Sequence, residues 1–201
     1  MNAAATPADA KATLHRYLRS VRGALLWKLE GLDEYSLRRP LTPTGTNLLG
    51  LVKHLSMTEA GYFGLVFDRP MPGLPSWIAE VGADQAEPNA DMWATSEEPS
   101  ADLLELYRRV CAHSDRTIEE LELDSIGRVP WWGASGETTL HRILVHMIAE
   151  TNRHAGHADI VRELVDGAAG LREDVDNLPD VDAAWWAEYH DRVEQVARRF
   201  R

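Results

Sequence analysis

Glu150, His154 and His157 stand four and then three residues apart in the stretch Glu150-Thr151-Asn152-Arg153-His154-Ala155-Gly156-His157. On a helix these offsets bring the side chains to one face. A carboxylate and two imidazoles flanking an apolar stripe are costly to bury without a partner, and a divalent cation is the natural one. His54, in Leu48-Leu49-Gly50-Leu51-Val52-Lys53-His54-Leu55, is the best candidate for a ligand from a second helix. Taken singly, His54 reads as a core histidine bonded to a carbonyl. Glu150 and His154 read singly as an ordinary i,i+4 pair. Together, His54, Glu150 and His154 form a three-ligand set drawn from two helices of a bundle.

Zinc accepts imidazole nitrogen and carboxylate oxygen, and three protein ligands leave an open position, the mark of a catalytic site. Zinc leads; nickel, iron, manganese and cobalt take the same donors. Three nearby residues have open roles. His157 is a fourth ligand, a hydrogen-bond partner of a ligand or a substrate contact; as a fourth ligand it would close the site. His146, one turn before Glu150, is a packing residue or a partner that orients a ligand. Arg153 pairs with an acid such as Glu59 or meets an anionic substrate. His15, His113, His141 and His190 have no ligand-like neighbours in sequence.

The elements that must position these residues are helices. Leu14, Leu18, Val21, Leu25 and Leu29 recur at helical spacing from about Pro7 to Gly31. Residues 35–45 carry Pro40, Pro43 and Gly45 and read as a loop. A second helix, capped by Thr46 or Asn47, runs to about Phe67, with Leu48, Leu51, Val52, Leu55, Tyr62 and Leu65 inward and His54 among them. From Asp68 to about Ser100 five prolines and Gly73 break the pattern. Connections this long tend to be lids or pocket walls; Trp77 and Trp93 mark short helical turns that pack onto the body. A third helix, with Ser100 as N-cap, covers about Ser100 to Leu121. A fourth runs from about Thr138 to Asp166, and a last from about Asp182 to Arg199. No segment alternates convincingly as a strand, and no repeat is evident. The expectation is an all-α, up-down-type bundle. The chain is a single domain, 1–201, with a core at 7–167 and a C-terminal helical extension at 168–201.

Composition narrows the function. The 201 residues are 44% hydrophobic and 26% charged, a globular balance, and the formal net charge of -11 disfavours nucleic acid or an anionic membrane as partner. No run approaches the eighteen apolar residues of a membrane span. Cys111 is the sole cysteine, so neither an intramolecular disulfide nor a cysteine zinc cluster is available; it reads as a small buried hydrophobe. Met1 to Ala10 lack the basic start and apolar core of a signal peptide, and a cytoplasmic location is expected.

The stretches Asn47–Leu55, Glu59–Gly64, His146–Glu150 and Arg153–Asp159, with Arg162-Glu163, Asp166-Gly167 and Trp185-Trp186, resemble the DinB/YfiT-like superfamily of bacterial four-helix-bundle proteins. The likeness spans nearly the whole chain. It implies a four-helix bundle with an extra C-terminal helix and a long loop between the second and third helices. It also implies a divalent metal on His54, Glu150 and His154. Glu150 departs from the commoner His, as in the mycothiol-dependent isomerases of the superfamily. His157 falls where many members carry Gln. Characterised members use low-molecular-weight thiols such as mycothiol in transfer or isomerisation of small molecules, the metal favouring the thiolate. Two other readings stand beside this one: a non-catalytic metal-binding or interaction module, as a homodimer, and a metal-assisted hydrolase.

Overall fold

The computed structural model describes residues 7–82, 86–173 and 175–201; residues 1–6, part of the stretch without signal-peptide character, lie outside the described range. Helix α1 is Pro7–Trp27. Proline suits its first turn, where no intrahelical N–H partner is needed. The chain leaves it through turns ending at Gly31, whose φ of 74° favours glycine. The segment expected as a loop contains a short helix, α2 (Glu34–Arg38), capped by Asp33, whose carboxylate accepts from the Ser36 N–H at 2.8 Å. Helix α3 is Leu48–Glu59, with Asn47 as N-cap accepting from the Gly50 N–H at 2.7 Å. It continues as a π turn, Ala60–Gly64, and a 3-10 turn, Leu65–Phe67. The helical path therefore reaches Phe67 as expected, but the wider π turn shifts the helical phase of the residues beyond it. Leu65, expected inward, is 57% exposed.

The connection from Asp68 to Pro99 holds helix α4 (Ser76–Gly82), where Trp77 packs against the core. Around Trp93 there are turns rather than the expected helix, and its side chain is exposed. Helix α5 is Ser100–Glu120. Ser100 is its first helical residue rather than its cap; the cap position is Pro99, and the Ser100 hydroxyl donates to Glu34. Beyond α5 lie two strands that no sequence pattern announces: β1 (Ile126–Arg128) and β2 (Glu137–Thr139) pair antiparallel, with Gly127 opposite Thr138. Three residues are too few for an alternating pattern to register. Between them a 3-10 segment, Pro130–Ser135, carries Trp131 and Trp132. Helix α6 (Leu140–Asp166) is capped by Thr139 and closed by Gly167 at φ 78°. Helix α7 (Ala183–Arg198), capped by Asp182, has no buried residue.

The directions of the four long helices emerge from their contacts. Lys11 near the start of α1 donates to the carbonyl of Leu121, just past α5, whereas Lys28 beyond the end of α1 pairs with Asp159 on α6 at 2.8 Å. At the far end of α3, the Arg69 carbonyl accepts from His113 on α5 at 2.7 Å, and near its start Lys53 pairs with Glu98, just before α5. Helices α3 and α5 thus run the same way, unlike a strict up-down order. Parallel neighbours need a crossover connection, which is why the α3–α5 link is so long.

One buried network ties three helices. Arg22 on α1 donates through Nε and Nη2 to the two carboxylate oxygens of Glu59, each at 2.6 Å, and through Nη1 to Asp115 at 2.6 Å. His15 meets the same Asp115 oxygen at 2.8 Å. Glu59 is 0% and Arg22 4% exposed. Burial alone would raise the Asp115 carboxyl, but His15 and Arg22 outweigh it and hold the group below its ordinary value. Two outcomes are expected. Glu59→Ala strands a buried guanidinium and lowers unfolding free energy by about 3–5 kcal/mol, measured by urea titration; a loss below about 1 kcal/mol would refute the buried pairing. Because the Asp115 value is depressed on folding, its contribution is full above about pH 4 and is lost as pH falls through the native value. Asp115→Asn is therefore less stable at pH 7 and shows a shallower acid loss than the parent.

Candidate metal centre

His54 lies two turns into α3, and Glu150 and His154 lie one turn apart on the facing side of α6. One donor atom from each comes within 4.8 Å of the others. The hub is a single oxygen: Glu150 Oε1 lies 3.3 Å from His54 Nε2 and 3.0 Å from His154 Nε2. The two imidazole rings stand edge to face with centroids 4.8 Å apart. The side chains are 17% (His54), 27% (Glu150) and 11% (His154) exposed, so the cluster is sheltered but reaches the surface.

A fourth group, which no sequence motif marks, completes the arrangement. Asp91, in the α3–α5 crossover, meets His54 Nδ1 at 2.6 Å. It is held by its neighbours. The Met92 carbonyl accepts from the Asn47 side-chain amide at 3.1 Å, and the Trp93 carbonyl from Lys53 Nζ at 3.0 Å. Lys53 is buried, paired to Glu98 and lying over the Trp77 ring at 4.8 Å. Gly50 is required here, because a Cβ would overlap the Met92 carbonyl. A carboxylate on the far nitrogen of a histidine fixes its tautomer and ring orientation. No spacing rule could have pointed to Asp91, which stands in an irregular segment and reaches α3 only through folding.

The electrostatics reflect this geometry. Burial works against the charged form of His54, but Asp91 and Glu150 outweigh it and raise its value. The hydrogen bond to His54 lowers Asp91 against the opposing effect of burial. Burial also opposes ionisation of Glu150, yet His54 and His154 hold it below the ordinary carboxylate value. His154 moves the other way: burial and the neighbouring His54 charge lower it, despite Glu150.

The remaining candidate residues separate. His157 is exposed, its ring centroid 5.4 Å from that of His154, and it is outside the cluster of three. His146 packs against Tyr62, centroids 4.6 Å apart, and Trp132, 5.3 Å apart. Arg153 is exposed; its expected partner Glu59 is taken by Arg22. Cys111 is largely buried, and burial raises its thiol well above the ordinary value, which suits a packing role.

A helical bundle with a His/Glu/His cluster between antiparallel helices defines a class, that of DinB-like bundles. The chain belongs to the mycothiol-S-transferase family, whose profile matches residues 13–167. Its fold is similar to that of a conserved protein from Enterococcus faecalis seen in a crystal structure. The TM-score is 0.55 at 15% identity, over 83% of this chain and 100% of that one. At this identity the likeness concerns fold alone. Among curated proteins no sequence matches. Helix α7 lies outside the family match.

In metal-free protein the His54 ring is expected to titrate above pH 6.5 and the His154 ring below it, tracked by NMR of the ring protons. Asp91→Asn removes the main attraction on His54 and brings its titration down. An unchanged His54 midpoint in that variant would show that Asp91 does not act on the ring.

Proposed function

We propose that the protein is a divalent-metal-dependent S-transferase acting with a low-molecular-weight thiol of the mycothiol type on a small electrophile. The observation that carries the reading is the convergence of His54, Glu150 and His154 within 4.8 Å. Membership of the mycothiol-S-transferase family supplies the thiol.

The donor set fits a cation. With Nδ1 donating to Asp91, the neutral His54 ring turns an unprotonated Nε2 toward Glu150 Oε1 at 3.3 Å. Two lone pairs then face each other unless His54 is protonated or a cation lies between them. His154 presents Nε2 to the same oxygen, while its Nδ1 is buried without a partner among the described residues. In this reading His54, Glu150 and His154 hold the metal, zinc leading on ligand type. When bound, the ion would stabilise a coordinated thiolate at neutral pH, supplying the nucleophile.

The chain's own residues then have defined tasks. Asp91 keeps the His54 ring oriented. Glu150 neutralises positive charge while committed as a ligand, so it is poorly placed to act as the base of a metal-assisted hydrolysis, and thiol transfer is preferred over that chemistry. Cys111, raised and largely buried, takes no part.

The test is metal content and activity together. The purified protein should carry or take up one equivalent of zinc by elemental analysis. His54→Ala and His154→Ala should lose it while keeping helicity by circular dichroism. Asp91→Ala should bind zinc about 10–100-fold more weakly, read by competition with a chromogenic chelator. Full zinc stoichiometry in both histidine variants would overturn the site. Mycothiol transfer that survives complete chelation would overturn the metal-dependent chemistry.

A further inference from the structure

One turn before Glu150 on α6, and past His54 along α3, four rings pack together. The Tyr62 ring centroid lies 4.6 Å from His146, 5.3 Å from Trp131 and 5.9 Å from Trp132. Trp131 and Trp132 come from the turn between β1 and β2, so the hairpin serves to deliver two indoles to this corner. Trp131 Nε1 donates to the Tyr62 hydroxyl at 3.2 Å. Gly61 lets the indole come within 3.2 Å of where a Cβ would stand. Trp131 is nevertheless 51% exposed. The indole is fixed at one edge while about half of its surface stays open. His146 ties this corner to the candidate ligands, standing one helical turn before Glu150 on α6.

We propose that the ring cluster of Tyr62, Trp131, Trp132 and His146 seats the electrophile of the transfer, and that it selects flat, conjugated, electron-poor molecules. This rests on the transferase reading above. Electron-rich ring faces favour electron-poor planar partners, through stacking and dispersion. The Tyr62 hydroxyl accepts from Trp131, and the Arg142 guanidinium lies over the Trp132 ring at 4.8 Å. A flat electrophile against these rings meets the corner that holds His146, one helical turn from Glu150.

Two measurements test the proposal and keep it separable from the transferase reading. In the first, the unreactive 1,3-dinitrobenzene is titrated by NMR into the full-length, metal-free protein. The indole N–H of Trp131 is expected to shift, Trp131→Ala to weaken binding about tenfold, and Trp131→Phe to retain most of it. Shifts confined to Trp185 and Trp186 of α7, or equal affinity in Trp131→Ala, would overturn the ring site. Circular dichroism and melting check that the variants fold.

In the second, zinc-loaded protein and mycothiol are given 1-chloro-2,4-dinitrobenzene or iodoacetamide. In either case the thiolate sulfur forms a bond to carbon, the halide leaves with the carbon–halogen pair, and the thiol proton passes to buffer. Trp131→Ala should lower kcat/KM for the aryl halide about tenfold relative to iodoacetamide, mainly through KM, at unchanged zinc content. An unchanged ratio overturns the selectivity. If dinitrobenzene binds at Trp131 but neither electrophile is turned over, the transferase reading fails while the binding pocket stands. If both are turned over without Trp131 moving, the pocket fails and the transferase reading stands.

Discussion

The candidate site rests on a single carboxylate oxygen shared between two imidazole nitrogens. Glu150 Oε1 lies between His54 and His154, one from each of two antiparallel helices. Such a cluster keeps its geometry only if α3 and α6 neither slide nor rotate against each other. The apolar side chains about it enforce this: Leu51, Val52 and Leu55 on α3 and Met147, Ala158 and Val161 on α6 are all buried. A well-packed interior resists small displacements because it has few voids into which side chains can move.

The parallel course of α3 and α5 shapes the cluster as well. The crossover it demands passes the start of α3, where Asn47, Gly50 and Lys53 grip the backbone around Asp91. A topological requirement thus delivers the carboxylate that orients His54. Lys53 is itself buried, but its ammonium has Glu98, the Trp93 carbonyl and the Trp77 face as partners. Burying a charge is tolerable only with such company. The far end of α3 is anchored separately by the Arg22–Glu59–Asp115 network. The loosened π turn begins directly after Glu59, and it carries the glycine and tyrosine against which Trp131 rests.

The family match and the candidate site fall on the same part of the chain: the profile covers residues 13–167, which contain His54, Glu150 and His154. Helix α7 stands apart: outside that match, it exposes Trp186, Tyr189, Val193 and Val196 along one side.

Local sequence determined much of this protein. The spacing of Leu14, Leu18, Val21 and Leu25 fixed α1, and Gly167 closed α6. The Glu150–His154 offset placed two donors together, because i and i+4 share a helix face whatever the fold. His54 was legible as an inward-facing helical histidine for the same reason of periodicity. What the tertiary structure decided are relations that no local pattern encodes. Asp91 sits in an irregular crossover, and nothing in its neighbours' spacing says which ring it will meet. Glu59 took Arg22 rather than Arg153, since α1, not the outer face of α6, lies against that side of α3. The three-residue strands were too short to show a period, yet their pairing aims Trp131 at Tyr62. Periodicity reports which side of an element faces inward; only packing reports what is waiting there.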